Sequence, residues 1–336
     1  MRKKFISAIV LLVVAVGVAG MYAYDQFYGP AVAERMTIIL RGDESYEVMT
    51  SKIKRYIDHD WAFDVYARHI DLDRGIEPGA YTLQEGMNVV MVARTFKFGT
   101  DNTVRITINN LRTPEALALR LAEQIDADAE AILVALHDKE LQGELGFTSA
   151  EAMFSVFIPN TYEVYRDIEP AALVRKMKQE SDAFWGAEHR RQQLESLGLT
   201  PYEVMTLASI VHEETNVTDE MPRIAGVYLN RLRRGMPLQA DPTVKYAVGD
   251  PTLTRILYKH LEVESPYNTY KYVGLPPTPI AMPDVVAIEA VLNYERHDYL
   301  YFCARAEMDG RHNFARTHRE HERNAAAYHD ALSRLK

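Results

Sequence analysis

The chain has 336 residues, 47% hydrophobic and 25% charged, a balance that supports a buried core and leaves room for two modest domains. Its 47 acidic against 38 basic residues give a net charge of −9, which argues against nucleic acid as the main partner, because phosphate binding needs a net basic face. Cys303 is the one cysteine, so a disulfide framework and a multi-cysteine metal site are both excluded.

Arg2, Lys3 and Lys4 precede an uncharged run from Phe5 to Tyr24 built mostly of Val, Leu, Ile, Ala and Gly. A run of that length at helical rise spans about 30 Å, the thickness of a bilayer's hydrocarbon core. The positive flank predicts a cytoplasmic tail over 1–4 and a transmembrane helix over 5–24. Tyr22 and Tyr24 then lie at the far interface, and the rest of the chain lies outside the cytoplasm. Gly17-Val18-Ala19 offers the small residues of a cleavable signal peptide, but the length of the run favours an anchor. No cysteine follows it, which excludes a lipidated N-terminus.

Residues 25–35 read as a connector. From 36 to 103 the pattern predicts a small α/β module, the size of one small domain. It holds a strand at Met36–Leu40, a helix from Tyr46 to Ile57, a strand at Gly79–Leu83 after a Pro-Gly turn, and a helix from Val89 to Phe96. Asp101-Asn102 breaks the module and a strand follows at Val104–Ile108. The remainder, 104–336, is richer in helix, so the fold class is α+β. Thr113-Pro114-Glu115 is a helix start, with Thr as cap and Pro in the first turn. Further helices are expected at Pro170–Phe184 and Pro201–Glu214, and a polar one from His318 to Leu335. The proline-rich stretch 237–283 reads mainly as loops, and Tyr299–Ala304 as a buried strand.

The segment Leu207 to Thr215 places two glutamates side by side. At about 100° per residue, Leu207, Ile210, Val211 and Glu214 share one stripe, whereas His212 and Glu213 point away from it. A carboxyl on an apolar face is desolvated and holds its proton near neutral pH, as a general acid must. The alternative is a carboxylate paired with a buried arginine. A zinc-protease helix is excluded, since a second His is required four residues after His212 and Asn216 stands there. His312, His318 and His321 match no zinc spacing. No cofactor motif is present in the sequence.

Around Glu214 the sequence resembles the MltG-type (YceG-like) endolytic murein transglycosylases. Ala208-Ser209-Ile210-Val211-x-x-Glu214-Thr215 is similar to that family's catalytic-helix motif. Asn230-Arg231-Leu232, Leu238-Gln239-Ala240-Asp241-Pro242-Thr243, Ser265-Pro266-Tyr267-Asn268-Thr269-Tyr270 and Gly274-Leu275-Pro276-Pro277-x-Pro279 follow in order. Tyr299–Phe302, His312-x-Phe314 and His321 complete the series, and upstream Phe157-Ile158-Pro159-Asn160-Thr161-Tyr162 is similar to the family's FPDTY segment. His212 replaces the family's usual first glutamate and Asn160 its acid.

The resemblance implies a LysM-like module over 36–103 and a catalytic domain over 104–336. It also implies cleavage of the MurNAc–GlcNAc bond by Glu214 alone, acting as acid and then as base, to give 1,6-anhydro ends. Gln239, Asn268 and Thr269 are then candidates to hydrogen-bond the sugar, and Tyr267 and Tyr270 to stack on it or cover it. Asp241 either orients Glu214 or a sugar hydroxyl, or caps a turn. Asn230 is either a hydrogen-bonding neighbour or a structural polar residue. The implied partners are peptidoglycan glycan strands, the cytoplasmic membrane and the synthases that extend the strands. A two-carboxylate muramidase using Asp241, and a non-catalytic wall-binding protein, are the competing readings.

Overall fold

The structure, a computed structural model, describes residues 2–41, 44–77, 79–99, 103–166, 168–250, 253 and 255–334, with side chains described from Val13 onward. The expected break at Asp101-Asn102, Pro78 of the Pro-Gly turn and the helix end at Leu335 lie outside the described residues. The chain divides into two compact units, Met1–Val104 and Arg105–Lys336, which together form a mixed α+β architecture.

The first unit runs α1 (Arg2–Tyr28), β1 (Met36–Leu40), α2 (Tyr46–Lys54), α3 (Asp60–His69), β2 (Gly79–Leu83) and α4 (Val89–Phe98). β1 and β2 are antiparallel, with Met36 opposite Leu83 and Leu40 opposite Gly79. Ile38, Leu40, Tyr81 and Leu83 alternate inward onto Ile53, Phe63 and Phe96, which is the period-two pattern of strands with one buried face. The expected helix over Tyr46–Ile57 stops at Lys54. Among the described residues no helix is long and apolar enough to cross a membrane. The side chains of residues 5–12, part of the expected span, lie outside the described set.

β3 (Thr103–Ile108) runs across the boundary into the second unit, which continues with α5 (Pro114–Ala122), α6 (Ala129–His137), α7 (Lys139–Leu145), α8 (Ala150–Met153), β4 (Asn160–Tyr165), α9 (Pro170–Gly186) and α10 (Glu188–Leu197). Then come α11 (Pro201–Glu214), α12 (Met221–Arg233), α13 (Asp241–Val248), α14 (Val285–Leu292), β5 (Tyr301–Ala304), β6 (His312–Ala315) and α15 (His318–Ser333). β3 pairs with β4, and β5 is antiparallel to β6.

α11 begins where its sequence dictates. Thr200 accepts from the Glu203 backbone N–H while the Glu203 carboxylate accepts from the Thr200 backbone N–H, and Pro201 fills the first turn. The helix is buried on every side from Val204 to Val211, not on one stripe, because α12, α13 and α14 all pack against it. That burial includes Ser209, whose hydroxyl donates to Thr206 O and accepts the Ile280 N–H at 3.0 Å, tying the proline-rich loop to the helix. α12 approaches the chain at 295–297 so closely that a Cβ on Gly226 would lie 2.5 Å from Glu295 O.

The described residues of 237–283 are mainly loops, as expected, and carry in addition a short helix, α13, which starts at Asp241-Pro242 because Pro is favourable in a first turn. One expectation needs correction: of Tyr299–Ala304 only Tyr301–Ala304 forms a strand, and all four of its residues are half-buried because the strand runs along the wall of a cavity.

Candidate active site

The last residue of α11, Glu214, reaches the floor of a cavity of about 400 Å³ in the second unit. Its Oε1 accepts a hydrogen bond of 2.6 Å from the Tyr228 hydroxyl of α12, which is 1% exposed. Oε2 has no hydrogen-bond partner among the described residues. The carboxyl is pushed up to about 7, chiefly because packed protein removes it from water; the Tyr228 hydrogen bond opposes this, Asp241 adds to it, Arg231 opposes it and Glu213 adds to it. Burial, and then the charge of Glu214, raise the Tyr228 hydroxyl well above its ordinary range, so Tyr228 remains a donor. A carboxyl poised near neutrality exists in both protonation states and serves equally as acid or base.

The neighbouring glutamate has another task. Glu213 pairs with Arg112 at 2.6 Å, and His212 contacts Asn110. The helical phase thus separates the two carboxyls as expected, but the buried surroundings that desolvate Glu214 come from α12 and the loop beyond it.

Arg231, one turn after Tyr228 on α12, forms part of the cavity wall. Its Nε donates to Leu300 O at 2.6 Å and Nη1 to Leu238 O at 2.7 Å and Gln239 Oε1 at 3.2 Å, and its guanidinium lies over the Tyr301 ring. Gln239 has a φ of 52°, in the left-handed region, and its N–H donates to Thr269 O at 3.0 Å. That conformation costs a non-glycine residue about 1–2 kcal/mol and persists here because both ends of Gln239 are held. Opposite, the Tyr270 hydroxyl donates to Asp241 Oδ1 at 2.6 Å. Burial first, and then Asp241, raise that hydroxyl, which keeps it a donor.

A model of the YceG-like family matches residues 38–327, nearly the whole of both units. The chain belongs to the YceG-like family. It is 28% identical over 310 residues to the endolytic murein transglycosylase of Bacillus subtilis, covering 87% of this chain and 84% of that protein. It is 29% identical over 320 residues to the protein of the same name from Streptococcus pneumoniae D39, covering 86% of this chain and 57% of the longer relative. The crystal structure of a YceG-like protein from Listeria monocytogenes superposes with a TM-score of 0.54 at 27% identity, over 87% of this chain and 99% of that one.

In this YceG-like chain the cavity gathers Glu214, Gln239, Asp241 and Tyr270 of the residues expected at the site. The other four lie behind its wall. Asn268 is fully buried, donating to Leu261 O and Val263 O and accepting from the Tyr270 N–H. Thr269 is 1% exposed and bonds the Ala240 N–H and the Thr243 hydroxyl. Asn230 donates to His297 O and Tyr299 O, and Tyr267 bonds the Thr278 hydroxyl. Through these bonds the four side chains hold the loops that shape the cavity. Asn268 and Thr269, expected to hydrogen-bond the sugar, are thus buried and do not line the cavity.

The cavity also holds residues that the sequence did not bring to a site: Tyr301, His312, His318 and His321, from β5, β6 and α15. His321 stacks on Tyr301 at 5.4 Å, and burial, followed by His318 and Arg231, lowers its proton affinity. Among the described residues no group of three or more His, Cys, Asp or Glu side chains is arranged to hold a metal. Tyr228 and Arg231 did carry a signal, since a tyrosine and an arginine three apart share a helix face whose other buried residues are apolar or glycine.

Proposed function

We propose that this chain is an endolytic lytic transglycosylase that cleaves peptidoglycan glycan strands, with Glu214 as its catalytic acid. The observation that carries the reading is the carboxyl of Glu214, placed in the cavity, hydrogen-bonded on one oxygen by Tyr228 and pushed up to about 7 by burial. The names of the Bacillus and Streptococcus relatives support the same activity.

In the reaction, Glu214 protonates the oxygen between N-acetylmuramic acid and N-acetylglucosamine as that oxygen leaves C1 with the bonding electrons. The muramoyl C6 hydroxyl closes onto C1 and loses its proton, so a 1,6-anhydro end forms and no water is consumed. The minimal cycle returns that proton to the Glu214 carboxylate. Proximity replaces a second carboxylate, because the attacking hydroxyl belongs to the same sugar. Arg231, Gln239 and the Tyr270–Asp241 pair line the cavity as hydrogen-bonding groups for the sugars.

The basic Arg2–Lys4, the apolar run that follows and the continuous α1 support a single-pass anchor with the remaining chain outside the cytoplasm. The small unit, with its own core, serves as a LysM-like wall-binding module. Cleavage close to the outer membrane face would limit the length of nascent strands beside the synthases that make them.

Mass spectrometry of glycan strands digested by the purified chain tests the chemistry. Anhydro ends are expected, and only reducing ends would point to hydrolysis with Asp241 as the second carboxylate. Glu214→Gln is expected to release no fragments. Release at the parent rate would remove the catalytic reading.

A further inference from the structure

Glu220 is buried to 4% exposure immediately before α12, where the partial positive end of the helix favours an anion. One residue engages both of its oxygens. The His312 backbone N–H donates to Oε1 at 3.2 Å, and His312 Nδ1 lies 3.0 Å from Oε2. Arg311 is 4.0 Å away and pairs more closely with Asp219, at 2.9 Å. A carboxylate taken out of water costs several kcal/mol unless it is paired, so this contact fixes the imidazole in return. Nδ1 carries the hydrogen, and Nε2 becomes the acceptor.

The ring is also fixed sideways. It stands edge-on to Phe302 at 5.3 Å, and Phe302 stands edge-on to Tyr228, the residue that holds Glu214. His312 lines the same cavity as Glu214, and its Nε2 has no hydrogen-bond partner among the described residues. A carboxylate behind an imidazole, with the far nitrogen open to a reaction cavity, is the arrangement that makes a histidine a directed proton acceptor.

We propose that His312, backed by Glu220, takes the proton of the muramoyl C6 hydroxyl while Glu214 acts as the acid. This rests on the transglycosylase reading and divides between two residues what the minimal cycle assigns to one. The Glu214 proton goes to the bridging oxygen as its bond to C1 breaks. The O6–C1 bond forms, and the O6 proton passes to Nε2. The imidazolium is held by Glu220 and returns its proton to the Glu214 carboxylate through solvent, so the cycle closes without a net proton. The charged and titratable groups about His312 are Glu220 before α12, Arg311 beside it, which pairs with Asp219, and in the shared cavity Glu214, Arg231, Asp241, Tyr270, Tyr301, Cys303, His318 and His321.

The test uses the full chain, purified uncrosslinked glycan strands and release of anhydro ends from about pH 5 to 9. The parent is expected to give a bell, because the active form needs Glu214 protonated and His312 neutral at the same time. His312→Gln is expected to lower kcat about 100-fold with little change in KM and to remove the acid-side limb alone. Glu220→Gln, which leaves the ring in place, is expected to lower kcat by about 10-fold or more. A His312→Gln variant with kcat within threefold of the parent and both limbs intact overturns the proposal. So does a parent rate that keeps rising toward pH 5, a result that needs no variant to fold. Glu214→Gln separates the two readings: if it is inactive while His312→Gln is unchanged, only the role of His312 fails; if it is fully active, the transglycosylase reading fails with it.

Discussion

Removing one oxygen, in Tyr228→Phe, gives the sharpest test of how the proposed acid is tuned. Burial raises the Glu214 carboxyl, and the 2.6 Å bond from Tyr228 is the largest influence holding it down. A hydrogen bond to a charged group contributes about 1.5–3 kcal/mol. At 1.36 kcal/mol per pKa unit, its loss raises the carboxyl from about 7 by roughly 1 to 2 units. The base-side limb of the pH–rate profile therefore moves toward higher pH. The protonated fraction of Glu214 at pH 8 relative to pH 6 rises from roughly one tenth to more than one half. The assay is anhydro-end release at the two pH values. An acid-side factor that the substitution leaves unchanged, or a pH-independent loss of rate or positioning, cancels when the variant's ratio is divided by the parent's. A ratio that is unchanged, or that falls, would show that Tyr228 does not stabilise the ionised carboxyl and would refute the argument.

Three further outcomes are expected. Because the folded-state value of Glu214, about 7, lies above its ordinary 4.5, the native state binds more protons than the unfolded one between those values. Stability from this group is thus present below about pH 4.5 and lost as pH rises through 7. Glu214→Gln should gain on the parent by up to roughly 3 kcal/mol between pH 4.5 and 8 in urea denaturation, and a constant difference across that range would contradict it. Arg231→Leu should cost about 2–5 kcal/mol, read as a lower urea midpoint, since Leu300 O and Leu238 O lose their buried donor. Gly226→Ala should cost about 1–3 kcal/mol by the same measurement, because the new Cβ meets the backbone oxygen of Glu295; a neutral substitution would mean that α12 shifts freely.

Much of the local structure was legible from neighbouring residues. Thr200-Pro201 with Glu203 marks the start of α11, Thr113-Pro114 the start of α5, and alternating Ile38, Leu40, Tyr81 and Leu83 the first strand pair. These features are governed by backbone geometry and by side chains within one helical turn or one strand period. The helix at Asp241–Val248 was missed because prolines and turn residues on both sides outweighed a short helical segment whose packing against α11 stabilises it.

By itself, the sequence determined that Glu213 and Glu214 face different surroundings, since helical phase is a property of the chain. It also set the order of motifs that place the chain in its family. Only the tertiary structure decided the surroundings that give Glu214 its chemistry. Tyr228 lies 14 positions away and Asp241 further still, while His312 meets Glu220 across 92 positions. The polar motif residues Asn268 and Thr269 are of the right type to bind sugar, yet the loop carries them inward to satisfy buried backbone groups. Desolvation and hydrogen bonding depend on which atoms surround a group in space, and separation along the chain does not specify them.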